Sequence, residues 1–254
     1  LTPIYFAFIT SIKTDEEVYS KEITWIPRKP TIKPYIDALF GSRSFIKYLT
    51  NTIIVALSTT VLCLLIASSS AYAISRFDFK GKRTSFLVIL FSRLLPPVGL
   101  IIPWYILIAY FGLIDTLNAL IITSLYINLP ISVWLLKGFF DGVPREIIGS
   151  ALVDGCSEFQ AFRKIVLPLA MPGLGAVGVI TFISAWGEFL FAVTLTNTIR
   201  SQTASVGMYE FITDAFIKWP QLCAGGILAS IPAIVFVAFF TKSLLRGWIG
   251  GLKG

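Results

Sequence analysis

Uncharged stretches alternate with shorter charged ones along this chain. About 20 apolar residues in a helix cross a bilayer, so the alternation predicts spanning helices joined by loops. The opening "LTPIYFAFIT" is too short to span, and no basic residues precede it as they would in a signal peptide. It reads as the tail of a first spanning helix. Lys13 to Lys47 is polar and holds Pro27, Pro30 and Pro34, which predicts an extramembrane loop with a short interfacial helix near Ile36 to Phe40. Leu49 to Ser75 carries no charge and spans. Thr84 to Phe111 carries only Arg93, but Pro96, Pro97 and Pro103 make it a kinked or broken span. "GLIDT" turns the chain at Gly112 to Thr116, and Leu117 to Leu136 spans back. Lys137 to Pro168 is a polar loop, Leu169 to Leu195 a span with Glu188 inside it, and Thr196 to Lys218 a loop with a small helix around Tyr209 to Phe216. Trp219 to Leu245 spans last, before the basic tail "RGWIGGLKG". No period-two strand pattern and no internal repeat stands out. The expected class is an all-α, polytopic membrane helix bundle.

Composition agrees. The 254 residues are 56% hydrophobic and 14% charged, with mean hydropathy +0.80. Soluble domains carry about a quarter charged residues. The net charge of +7 does not point to nucleic acid in such a chain, because lysine and arginine in loops set membrane orientation. There is no histidine, which removes His-based metal sites and general bases. Cys63, Cys156 and Cys223 lie far apart without metal-ligand spacing and read as small apolar fillers. No metal or cofactor site is expected.

"RFDFKGKR" (Arg76 to Arg83) packs four basic residues into one short loop and is placed inside. By parity the Lys137 to Pro168 loop and the C-terminus are then cytoplasmic too. The basic count becomes eleven inside against nine outside, seven of the nine in the long first loop.

The Lys137 to Pro168 loop reads as two short helices. Pro144 suits a first helical turn, and Glu146 favours the positive end of the helix dipole. Ile147, Ile148, Ala151 and Leu152 share one face, with Glu146, Ser150 and Asp154 opposite. Asp154-Gly155 is turn chemistry. Ser157 with Gln160 is a capping-box pattern that starts a second helix at Glu158, whose stripe is Phe159, Phe162, Val166 and Leu169. Pro168 bends the path into the next span. Such a pair needs a cover for its apolar face. Its own membrane helices or a separate protein can supply it.

These residues resemble the cytoplasmic loop of inner-membrane permease subunits of binding-protein-dependent carbohydrate ABC importers, the maltose-importer type with a MetI-like fold. That family's signature runs Glu-Ala-Ala, three residues, Gly, nine residues, Ile, one residue, Leu-Pro. Here Gly149, Ser150 and Ala151 precede Gly155, Ile165, Leu167 and Pro168 at that spacing, with Asp154 before the glycine. "NTIIVALSTT", "AYAISRFDFKGKR", "IPWYILIAYFGLIDT", "LKGFFDGVPREI", "TFISAWGEFLFA" and "GGLKG" carry the likeness from about Asn51 onward. The resemblance implies one transmembrane permease domain over residues 1–254, with six spans, the first truncated here. It implies a coupling loop at about 141–168 and an outer loop at about 13–48. The implied partners are a homologous second permease subunit, a dimeric ATP-binding subunit that the loop docks on, an extracytoplasmic substrate-binding protein, and lipid. The implied location is the cytoplasmic (inner) membrane of a bacterium or archaeon, with the C-terminus cytoplasmic. The coupling residues carried over are Glu146, Gly149, Ser150, Ala151, Asp154, Gly155, Phe159, Phe162, Ile165, Leu167 and Pro168. The family's glutamate is Gly149 here, its first alanine is Ser150, and its Trp-Asn pair is Trp186-Gly187. In the family that glutamate supports the docking, and Glu146, one helical turn earlier, is the candidate substitute here.

The chain has no G-x-x-x-x-G-K-[ST] phosphate loop, so it is not expected to hydrolyse ATP or to be an enzyme itself, and the resemblance implies the ATPase activity in a partner subunit. Charges inside spans are functional candidates. Arg93 either snorkels to the inner surface or makes a pore-side or inter-subunit pair. Glu188 either faces the pathway or bonds a neighbouring helix. Trp104, Tyr105, Trp186 and Phe189 are candidate rings for sugar faces, while Asn128 and Ser68 to Ser70 are polar candidates. Two rivals stand beside this reading. Against an ion-coupled secondary carrier stand the missing histidine, the few intramembrane carboxylates and the lack of a visible inverted repeat, and a membrane-embedded enzyme lacks a catalytic cluster.

Overall fold

The structure, a computed structural model, describes residues 2–41, 44–212 and 216–251, with side chains through residue 240. The tail at 252–254, the side chains of Lys242 and Arg246, and Arg43 of the first loop lie outside the described residues. The helices are α1 (Thr2–Ser11), α2 (Asp15–Val18), α3 (Lys33–Phe40), α4 (Phe45–Arg76), α5 (Lys82–Phe91), α6 (Ile101–Tyr110), α7 (Leu117–Asp141), α8 (Arg145–Val153), α9 (Glu158–Ala161), α10 (Leu167–Leu169), α11 (Met171–Trp186), α12 (Leu190–Leu195), α13 (Ala204–Tyr209) and α14 (Trp219–Gly251). Among the described residues there is no strand, only an isolated bridge between Ile212 and Ile217. Lipid offers backbone groups no hydrogen bonds, so spanning segments satisfy them within helices. Three helices are long and apolar enough to cross a membrane: Phe45–Arg76, Leu117–Asp141 and Trp219–Phe240. Two bent pairs bring the number of spans to as many as five.

The expected kink in the third stretch is a full break. Lys82–Leu94 and Pro97–Tyr110 meet at 96°. A residue before proline is pushed out of the helical region. Leu95 (ψ 122°) and Pro96 (ψ 128°), which precede Pro96 and Pro97, are both extended. Three expectations shift. The stretch Leu169 to Leu195 is not one helix, because α11 stops at Trp186 and α12 restarts at Leu190. The small helix of the following loop lies earlier than expected, at Ala204–Tyr209, and residues 213–215 of the expected one are outside the described residues. Pro144 is the residue before α8 rather than part of its first turn.

Packing divides the chain into two compact units. One holds Leu1–Val55, Tyr105–Leu120 and Trp186–Val235. Its core joins Phe45 and Tyr48 of α4 to Ala204 of α13 and Ala229 of α14, with Met208 and Phe211 packed alongside. Gly207 is needed there, since a Cβ would stand 2.7 Å from the Tyr48 ring. Asn51 Nδ2 donates to the carbonyls of Ile199 and Gln202 at 3.0 and 2.8 Å.

The other unit holds Ala56–Trp104, Ile121–Ala185 and Phe236–Gly254. Its core gathers Ala67, Ala71 and Tyr72 of α4, Val133, Leu136 and Phe140 of α7, Ile148 of α8, and Phe162, Val166 and Val177. Cys63 is more than an apolar filler. It is buried, and its thiol donates to Ser132 Oγ at 3.3 Å, with Thr181 Oγ1 a further 3.3 Å from Ser132. Interhelical hydroxyl bonds of this kind hold membrane helices together.

Candidate functional site

The loop after α7 forms the two helices its sequence predicts. Glu146 sits in the first turn of α8, where a carboxylate meets the positive dipole end. The end of α8 is a Schellman motif: Cys156 N–H bonds the Ala151 carbonyl at 3.0 Å, and Gly155 N–H bonds that of Leu152 at 3.1 Å. Gly155 has φ +87°, which strains any side chain, and this fixes why the Asp154-Gly155 pair stands there. Ser157 and Gln160 complete the capping box, with Gln160 Oε1 accepting from Ser157 N–H at 2.9 Å and Ser157 Oγ accepting from Gln160 N–H at 3.3 Å.

After α9 the chain takes one π-helical turn, Phe162–Val166. Pro168 explains it. Proline has no N–H for the carbonyl four residues back, and its ring collides with that carbonyl. A wider turn moves it aside, and Leu167 N–H bonds the Phe162 carbonyl instead. The Glu158–Leu169 segment then meets Met171–Trp186 at 75°, as the bend at Pro168 predicts.

The apolar face of the pair divides. Ile148, Ala151, Ala161, Phe162 and Val166 are buried. The Phe162 ring lies 4.5 Å from that of Tyr72, and Tyr72 meets Phe140 edge-on at 6.1 Å. Val153, 88% exposed, and Phe159, 68% exposed, stand out, with Ile147 and Leu152 also exposed. The pair's own membrane helices cover one half, and the other half is a bare apolar ridge. Glu146, Gly149, Ser150, Asp154, Gly155 and Pro168 are exposed, while Ile165 and Leu167 are half-buried.

The root of the loop is pinned to the end of α4. Arg76 Nη2 donates to the carbonyls of Phe140 and Val143 at 2.7 and 2.5 Å, closing the C-terminus of α7. Ser75 Oγ donates to Asp141 Oδ1 at 2.6 Å, and Lys137 pairs with Asp141 at 2.5 Å. The start of the helix pair is therefore tied to two long helices, α4 and α7. Tyr72 and Arg76 were not legible as members of this site, because nothing local in α4 says which loop it meets. A small cleft of about 200 Å³ opens beside Gly149, with Tyr72, Arg76, Arg145 and Glu158 in its walls.

The pathway candidates fall in separate places. In the second unit, Arg93 Nη1 donates to the Ile127 carbonyl of α7 at 2.5 Å, and the Trp104 ring lies tilted at 5.3 Å against that of Tyr126, whose hydroxyl donates to the Ser92 carbonyl at 2.9 Å. Asn128 is buried and donates to Ser124 of its own helix at 2.8 Å, and Ser68 and Ser69 likewise bond the Leu65 carbonyl. In the first unit, Tyr105 is exposed and Trp186 half-buried, and Phe189 lies 6.4 Å from Tyr209. The Glu188 carbonyl accepts from Ser205 Oγ of α13 at 2.7 Å. Its carboxylate accepts from Phe191 and Ala192 N–H at 2.8 and 3.0 Å, capping α12 after the break at Gly187.

Asp115 escaped the sequence reading. At φ +61°, it accepts from Asn197 and Thr198 N–H at 2.8 and 2.9 Å, from Thr198 Oγ1 at 2.6 Å, and from Ser201 Oγ. Its own N–H donates to the Leu195 carbonyl at 2.8 Å, so one residue clasps two loops. Burial pushes its carboxyl up, but the Ser201 and Thr198 hydroxyls and the two N–H groups outweigh this and hold it down at about 2. The folded value lies below the unfolded one of about 3.9, so this stabilisation is full above pH 4 and is lost as pH falls toward 2. Asp115→Asn should melt earlier than the parent at neutral pH, with the gap closing as pH drops from 4 to 2. Thermal melts of both proteins across that range measure it, and a constant gap would deny the clasp.

Over residues 60–249 the chain matches the family described as binding-protein-dependent transport system inner membrane component. It is 34% identical to the trehalose transport system permease protein SugB of Mycobacterium tuberculosis, covering 100% of this chain and 93% of that one. It is 31% identical to the sulfoquinovosyl glycerol transport system permease protein SmoH of Agrobacterium fabrum, over 100% of this chain and 89% of that one. Among solved structures, the fold matches a bacterial ABC transporter involved in import of the acidic polysaccharide alginate, with TM-score 0.82 at 21% identity, covering 94% of this chain and 89% of that one.

Proposed function

The chain belongs to the family of inner-membrane components of binding-protein-dependent transport systems, and from that premise we propose which solute it passes and how it is driven. It is a permease subunit of an ABC importer, with a translocation role and an all-helical MetI-like fold. The solute is a saccharide. The observation that carries this is the end-to-end likeness to permeases named for saccharide transport, the trehalose/maltose permease MalG of Thermococcus litoralis also among them at 30% identity over 100% of this chain.

The driving force enters through the α8–α9 pair. Its exposed Val153 and Phe159 form the apolar part of a face that docks on a dimeric ATP-binding subunit, and the buried half transmits closure of that subunit into α4, α7 and α11. A bare apolar ridge rimmed by polar residues is the mark of a partner surface. Closure on ATP biases two arrangements of rigid helices. The Pro96–Pro97 break serves as a joint in that motion, since broken spans persist only beside a cavity or within protein. The pair lies on the cytoplasmic side with "RFDFKGKR" and the C-terminus, and Arg76 joining α4 to α7 at one end supports this parity. A second, homologous permease and an extracytoplasmic binding protein complete the assembly. Trp104, Tyr105, Trp186 and Phe189 are the rings offered to sugar faces, and Arg93 holds the turn beside Trp104.

Reconstitution of the assembled complex tests this reading. ATP hydrolysis should rise when the binding protein presents one saccharide from a panel, and uptake should follow ATP. Uptake by the permease without an ATPase, driven by an ion gradient, would instead establish a secondary carrier.

A further inference from the structure

The cleft beside Gly149 carries charge that the fold does not use. Two guanidinium groups, Arg76 and Arg145, face one carboxylate, Glu158. Glu158 is already engaged, since its Oε2 accepts from the Tyr72 hydroxyl at 3.4 Å. Arg76 spends Nη2 on two carbonyls, while its Nε is buried without a hydrogen-bond partner among the described residues. Arg145 is exposed at the start of α8, and no hydrogen bond or ion pair engages it among the described residues. A Cβ placed on Gly149 would meet nothing within 4 Å, so this position leaves the cleft open. Excess positive charge, the unengaged guanidinium of Arg145 and empty space coincide.

We propose that this cleft receives a carboxylate side chain, aspartate or glutamate, from the ATP-binding subunit, with Arg145 as its principal partner. The proposal rests on the docking reading above. The fork of a guanidinium matches a carboxylate with two parallel hydrogen bonds. At about 200 Å³ the cleft is smaller than the roughly 300–1,000 Å³ of small-molecule sites, which suits one protein side chain better than a lipid headgroup. Its rim also continues into the docking ridge. Leu152 lines the cleft, is 36% exposed, and is followed by Val153. The carboxylate therefore supplies polarity and register at the edge of an apolar contact, where charged pairs set specificity and on-rate.

The test uses the assembled complex with Arg145→Glu, Arg145→Lys and Phe159→Asp. Arg145 is an exposed first-turn residue, where glutamate is compatible with the dipole, so the variant folds. Arg145→Glu should lower retention of the ATPase on the permease about tenfold or more, and Arg145→Lys, which keeps the charge but not the fork, should lose less. One Asp or Glu to Lys exchange on the ATPase should rescue Arg145→Glu. If Phe159→Asp sheds the ATPase and Arg145→Glu does not, docking stands and the cleft proposal fails. If neither variant sheds it, the docking reading fails as well. A loss shared equally by Arg145→Lys, or a loss seen only in binding to phosphatidylglycerol vesicles, also overturns the proposal, the latter assigning the cleft to lipid.

Discussion

Phe159→Asp should uncouple transport from ATP while leaving the permease folded. Phe159 is 68% exposed, so its loss removes little from the protein's own core. Its place at the tip of α9, behind a complete capping box, holds the ring out rigidly. Aromatic anchors of this kind dominate interfaces, and truncating one costs about 2 kcal/mol or more of binding, a loss of about thirtyfold. A carboxylate in the same place adds a desolvation penalty. The expected result is an ATPase that no longer co-elutes with the permease and uptake that falls to background, with an unchanged melting midpoint. Co-elution with full saccharide-stimulated hydrolysis would show that Phe159 faces lipid or its own bundle, and the coupling reading would be lost with it.

Phe162→Ala, only three residues away, should do the opposite. This ring is 8% exposed, lies 4.5 Å from Tyr72 and meets Phe140 edge-on at 6.2 Å. Removing a packed phenylalanine leaves a cavity and costs about 3–5 kcal/mol. At about 2–4 °C per kcal/mol for a domain of this size, the midpoint falls by roughly 6–20 °C. The ATPase should still associate at low temperature, because the exposed ridge is intact, but closure would be transmitted weakly to α4 and α7. Melting in detergent and uptake at two temperatures separate the effects. A melting midpoint equal to the parent's would mean that the pair is not seated on α4 as described.

The contrast between these two phenylalanines shows where reading the chain stopped. Periodicity put Phe159, Phe162, Val166 and Leu169 on one stripe. The stripe assumes a regular 3.6-residue helix, and the π turn at Phe162–Val166 breaks that register for the residues after it, while Phe159 and Phe162 part because only Phe162 meets Tyr72. The turn follows from Pro168, which is visible in the sequence, but proline can be absorbed by a kink, a break or a wide turn, and packing against Tyr72 selects among them. Glu188 gives the same lesson. A lone carboxylate in an apolar stretch reads as a pathway group or a bond to a neighbouring helix, and here it also caps a helix that restarts after Trp186-Gly187, a restart that no local signal separates from a continuous span. Asp115 was passed over because its ligands come from residues 197–201, more than eighty positions away.

What the chain decided alone is what the bilayer enforces residue by residue. Uncharged runs become helices because their backbone groups have no other partner in lipid, Pro96 and Pro97 break a helix by losing N–H groups, and Ser157 with Gln160 starts one by satisfying two. These effects act within a few residues, so sequence suffices. Which half of the α8–α9 face is buried, which arginine is spent on carbonyls and which is left free, and where a carboxylate finds its donors were settled only in three dimensions. Each depends on groups brought together from distant parts of the chain, and competition for those partners, rather than local preference, fixes the outcome.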